Sequence, residues 1–142
     1  MRHWMVGIAL LTGFGSTSEA RAEIQAKEGL YEITMQSVMP GMPGMPPQTM
    51  RQCITRSDLN HPDKFVKSGG GGDDCTIQDL KQETNQLAFK ISCPKEKVTG
   101  KGEYRFSGDN YTGTMEMTMP NPGGPAMNMT VKTSAKWVGP CK

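Results

Sequence analysis

From Leu30 onward apolar and polar residues alternate with a period of two, and segments rich in Pro and Gly interrupt the alternation before a helix can run for more than a few turns. Short antiparallel strands are what such a pattern builds. Residues 30–39 place Tyr31, Ile33 and Met35 on one face and Glu32, Thr34 and Gln36 on the other. Met39-Pro40-Gly41-Met42-Pro43-Gly44-Met45-Pro46-Pro47 follows. It can be neither helix nor ladder, because Pro lacks the amide donor and fixes its own backbone angle. A second strand at 48–54 would close a hairpin with a long Met-Pro-Gly tip.

Residues 55–67 are the one plausible helical stretch. Thr55 can cap it with Asp58 three residues on, and Leu59, Phe65 and Val66 can face inward. Pro62 should divide it into two turns. Ser68 and the glycines that follow to Gly72 read as a flexible link, without the Lys-Ser or Lys-Thr of a phosphate loop.

Residues 75–93 alternate on both sides of Thr84-Asn85-Gln86, with Ile77, Leu87, Phe89 and Ile91 in the apolar register, so they read as a hairpin. Folding the segment about its midpoint sets Cys75 opposite Cys93. Cross-strand neighbours lie within disulfide reach, so this bond is expected first. Elimination among the three connectivities open to four cysteines leaves Cys53 with Cys141.

The last third continues with strands at 100–106, 111–119 and 127–137, joined by a turn at Ser107-Gly108-Asp109-Asn110 and a Pro-Gly loop ending at Ala126. In its final hairpin Met115, Met117 and Met119 share a face with Met127, Met129 and Val131. Thr112, Thr114, Glu116 and Thr118 share the other with Asn128, Thr130, Lys132 and Ser134. The expected fold is all-β: an antiparallel meander forming a curved sheet or partly open barrel, with one short helix, two disulfides and no βαβ unit.

The N-terminus bears on where such a chain works. Arg2 and His3 precede an apolar run from Trp4 to Phe14, and small and polar residues lead to Ala20-Arg21-Ala22, the layout of a secretory signal peptide over residues 1–22. A membrane-spanning helix needs roughly 20 apolar residues, so the run is too short for an anchor. The remaining domain, 23–142, would be a soluble periplasmic or secreted protein of the Gram-negative type. Without Arg2, Arg21 and Glu19, the 16 basic and 14 acidic residues become 14 and 13. So small a net charge, with no basic cluster, offers no electrostatic case for nucleic acid or an anionic membrane. All four cysteines lie in this domain, an even count that suits a disulfide framework in an oxidising compartment.

Catalysis needs a poised acid, base, nucleophile or metal. The domain has a single His, His61, near Asp58 and Asp63, and a lone surface His is ordinarily solvent-facing. No Gly-x-Ser-x-Gly, His-Glu-x-x-His or Cys-x-x-Cys occurs. Asp73-Asp74 and Asp109-Asn110 have the chemistry of turns more than of a calcium site. The expectation is a non-enzymatic protein with no required cofactor.

The methionines remain. Ten of the chain's 12 lie beyond residue 22. In a polyproline II tip Met39, Met42 and Met45 would project from one edge roughly 9 Å apart. Met50 and the five methionines of the final hairpin would join them if the first and last hairpins are neighbours. As filler, Met115, Met117, Met119, Met127 and Met129 suit a core poor in Leu and Ile, but the tip has little core to reach. As a binding surface, Met39, Met42, Met45 and Met50 would accept an apolar ligand, a peptide or a partner protein. As a soft-metal site, Met39, Met42, Met45, Met115, Met117, Met119, Met127 and Met129 would supply thioethers to copper in its cuprous state.

Several motifs, taken in order, carry a family likeness. They are Gly29-Leu30-Tyr31-Glu32-Ile33, the Met-Pro-Gly loop, Gln52-Cys53-Ile54-Thr55 before Asp58-Leu59, the Cys75 and Cys93 hairpin, Gly108-Asp109-Asn110-Tyr111-Thr112-Gly113, and Gly139-Pro140-Cys141. Together they resemble the bacterial exported family DUF3617, a domain of unknown function, over essentially the whole domain. The resemblance implies a periplasmic or secreted protein and brings no activity, catalytic residue or ligand with it.

Overall fold

The computed structural model describes Gly15, residues 23–67 and residues 74–142. The expected signal peptide, Gly15 apart, lies outside the described residues, as do the link at 68–72 and Asp73. Seven strands form one antiparallel sheet: β1 (Gly29–Val38), β2 (Gln48–Ile54), β3 (Thr76–Gln82), β4 (Gln86–Cys93), β5 (Val98–Ser107), β6 (Asn110–Met119) and β7 (Met127–Gly139). Their order across the sheet is β2-β1-β7-β6-β5-β4-β3. Strands β3 to β7 are the expected meander, and the first hairpin adds to it through antiparallel pairing of β1 with β7. The sheet is open rather than a barrel, with β2 and β3 as its edges.

The helical stretch is two short helices, not one, α1 (Arg56–Asn60) and α2 (Pro62–Val66), divided at His61. Thr55 and Asp58 form the reciprocal capping box: the Asp58 amide donates to the Thr55 hydroxyl, and the Thr55 amide donates to the Asp58 carboxylate. Pro62 cannot donate within α1 but suits the first position of α2, which explains the break.

One face of the sheet is apolar, and pairing lays its side chains in rows across the strands. Ile33, Ala135, Tyr111 and Phe106 form one row, and Met35, Thr133, Gly113, Tyr104 and Leu87 the next. Val131, Met115, Gly102 and Phe89 follow, then Met129, Met117, Gly100, Ile91 and Ile77, and last Met127 beside Met119. Two of the three glycines inside these rows have an aromatic packing cause. A Cβ on Gly113 would strike the Tyr104 ring, and one on Gly102 the Phe89 ring, so each aromatic side chain leans across a neighbour that has none.

The aromatic half of this face is covered. Ile24, Ala26, Leu59, Phe65 and Val66 are buried against it with Tyr31, Tyr104, Phe106 and Tyr111. Phe65 on α2 is central, with ring centroids 5.2 Å from Tyr104, 5.9 Å from Phe106 and 5.7 Å from Tyr111. Arg56 fastens the N-terminal segment by donating to the Ala26 carbonyl (3.0 Å) and, through its amide, to the Glu28 carboxylate (3.0 Å).

Both expected disulfides are present, Cys75–Cys93 and Cys53–Cys141. The first joins facing ends of β3 and β4. The second carries the chain beyond β7 to β2, although β1 runs between those two strands.

Candidate functional site

Because β1 pairs antiparallel with β7, the β1–β2 loop (39–47) and the β6–β7 loop (120–126) emerge side by side at one end of the sheet. Each contains the same turn. Pro40-Gly41 lies between Met39 and Met42, the Met42 amide donates to the Met39 carbonyl (3.3 Å), and Gly41 has φ 79°. Pro122-Gly123 lies between Asn121 and Gly124, the Gly124 amide donates to the Asn121 carbonyl (3.1 Å), and Gly123 has φ 80°. Pro before a Gly of positive φ makes a type II turn. From Met39 to Met42 the tip therefore departs from the polyproline II arrangement expected of it, which has no internal hydrogen bonds. Met39 and Met42 flank a turn and are closer than an extended repeat would hold them.

The methionines are graded along the apolar face toward this end. Met115 is 7% exposed and belongs to the core. Met117, directly opposite Met129, is half-buried and packs on the core's margin, and Met119 and Met129 are half-buried as well. Met127, opposite Met119, is 39% exposed. On the tip Met39 is half-buried, whereas Met42 and Met45 are 56% and 47% exposed. Met50 shares the apolar face, being paired with Ile33, but the edge position of β2 leaves it exposed. The hairpin methionines thus start in the core and end at its rim, while those of the tip stand outside it.

The reverse face of the same hairpin is polar, as the alternation predicts. Thr118 donates to the Asn128 side chain (3.0 Å), and Lys101 pairs with Glu116 (3.4 Å). The register also creates a groove that the sequence did not suggest, about 720 Å³ in volume and lined by Lys90, Lys101, Glu103 and Glu116 among others. At its edge Asp79 and Leu80 form a bulge opposite Phe89, with Asp79 at φ 49° and 3.3 Å from Lys90. The sequence carries one local trace of that bulge: Leu80 falls three residues after Ile77, out of the period-two register.

The remaining polar candidates do not converge. His61 is exposed between the two helices, its Nδ1 2.8 Å from the Ser57 carbonyl oxygen. The Asp58 carboxylate is used by the capping box. Asp74 pairs with Lys95 (3.0 Å), and Asp109 sits in the two-residue turn between β5 and β6 with Lys27 at 3.8 Å. Three phenols are shifted by the fold. Burial raises the pKa of Tyr104 and Tyr111, the latter strongly, and burial followed by the nearby Asp109 charge raises that of Tyr31. All three belong to the core.

Among the described residues no helix is long and apolar enough to cross a membrane. Two disulfides in one small domain suggest a protein that works outside the cytoplasm. No curated protein and no solved structure matches the chain. A family model does, over residues 26–141, and the chain belongs to that family, described as a protein of unknown function (DUF3617).

Proposed function

We propose that the domain is an exported, non-enzymatic binding protein that receives an apolar ligand or peptide at the methionine end of its sheet. The observation that carries this reading is the gradation from buried Met115 through half-buried Met117 and Met129 to exposed Met127, beside a tip that exposes Met42 and Met45. A core filler would end where the core ends. These thioethers continue past it onto a loop that leaves Met42 and Met45 exposed. Met suits such a surface because its unbranched, polarizable side chain can repack around different apolar shapes.

The test is titration of the oxidised domain with the neutral fluorescent dye N-phenylnaphthylamine. Saturable binding that Met127→Lys and Met129→Lys abolish, and that Val138→Lys leaves intact, is the expected outcome. Val138 is a suitable control because it is 41% exposed but lies at the other end of β7. Dye binding unchanged in the Met127→Lys and Met129→Lys variants removes the methionine end as a binding surface.

A further inference from the structure

We infer that the methionine end also binds a cuprous ion, through the thioethers of Met39, Met42 and Met129. The inference rests on the binding role proposed for this end and adds a soft monovalent metal to the apolar ligand named there. Two placements put the three methionines close to one another. The β1–β7 register ends with Val38 opposite Thr130, and Met39 and Met129 are the next residues of the two chains beyond that last pair. Neighbours at such positions have Cβ atoms about 5 Å apart. Met42 is joined to Met39 by the type II turn, whose outer Cα atoms lie within about 7 Å of one another. A Met side chain has enough rotatable bonds to bring its sulfur to a point common to the three.

The surroundings select the metal. The two loops at this end, Met39 to Pro47 and Pro120 to Ala126, contain no charged residue, no His and no Cys. All four cysteines are in disulfides and His61 lies between the helices. Calcium, magnesium and zinc would find none of the carboxylates, imidazoles or thiolates that they need, while neutral thioethers are good ligands for Cu(I). Sulfur, rather than bulk, also explains why Met39, Met42 and Met45 recur at every third position of a loop that buries little apolar surface. Met117 lies next to the site on β6, with its Cγ over Gly100, and closes it on the core side.

The experiment is an anaerobic titration in which the oxidised domain competes for Cu(I) with a chromogenic chelator. The wild type and the triple variant Met39→Leu, Met42→Leu, Met129→Leu are compared. Leucine keeps the apolar surface and removes only sulfur, and circular dichroism reports the fold. The expected result is uptake of about one equivalent by the wild type and at least about tenfold weaker competition by the triple variant, with dye binding retained. No uptake by the wild type, or equal uptake by the folded triple variant, overturns the metal site. If the dye still binds in that case, the apolar surface stands without it, and if the dye fails too, both readings fall. Met45→Leu and Met50→Leu together should leave Cu(I) affinity unchanged, and a loss there overturns the assignment to Met39, Met42 and Met129.

Discussion

Phe65 on α2 stands edge-on to Tyr104 on β5, with ring centroids 5.2 Å apart and planes at 78°. Helices of five residues have no stability of their own, so α1 and α2 are held by what they bury. Phe65 is their largest contribution, and it touches Phe106 and Tyr111 as well. Phe65→Ala should therefore cost about 3–5 kcal/mol in urea unfolding and loosen the cover of the aromatic half of the sheet. A loss under about 1 kcal/mol would mean that the helices are dispensable to the core.

The phenols make stability fall at high pH. Tyr31, Tyr104 and Tyr111 are the only tyrosines in the chain, and burial raises all three above their ordinary value of 10.0. Between that value and the raised ones, the folded chain keeps protons that the unfolded chain releases, so folding stability falls as pH rises. It is fully present below about pH 10 and drains away above it. In an alkaline titration, phenolate absorbance should stay silent past pH 10 and then rise together with loss of the fold. Early, independent ionisation of one phenol would show that its ring is not sealed in the core.

The two disulfides should differ in weight. Cys53–Cys141 closes a loop of 88 residues and Cys75–Cys93 one of 18. On the chain-entropy account these contribute about 4.6 and about 3 kcal/mol. Replacing Cys53 and Cys141 by Ser should lower the urea midpoint more than replacing Cys75 and Cys93, and full reduction should unfold the domain. The opposite order would mean that the β3–β4 end depends on its bond for structure as well as for entropy.

Where the sequence was legible, the pattern was local. Alternation placed the strands, Pro62 divided the helices, and the midpoint of 75–93 paired Cys75 with Cys93. The Asp79-Leu80 bulge does not disturb that pairing, because it lies between the cysteines and the turn, leaving Thr76 opposite Ser92 and shifting only the pairs nearer the turn. What could not be read depended on partners distant in the chain. Gly113 and Gly102 look like gaps in an apolar stripe until Tyr104 and Phe89 are seen to fill them. The methionines of the two hairpins are separated by many residues, and only the pairing of β1 with β7 makes them neighbours. The start of the tip is ambiguous for a different reason: a Met-Pro-Gly repeat suits polyproline II and a type II turn alike, and from Met39 to Met42 the hydrogen bond between them decides for the turn.

The gradation of the methionines fixes an order for their truncation. Met115→Ala removes a side chain that is 7% exposed and should cost about 2–5 kcal/mol. Met117→Ala and Met129→Ala remove half-buried side chains, which lose less contact and leave space that water can enter, so each should cost less than Met115→Ala. Met42→Ser, at 56% exposure on a loop, should fall within about 0.5 kcal/mol of the wild type. Urea midpoints measured across this series give the test. A uniform loss would make every methionine core, the tip included, whereas no loss at Met115 would detach the whole stripe from the core. The expected steep fall from Met115 to Met42 separates the methionines that hold the fold from those free to hold a ligand.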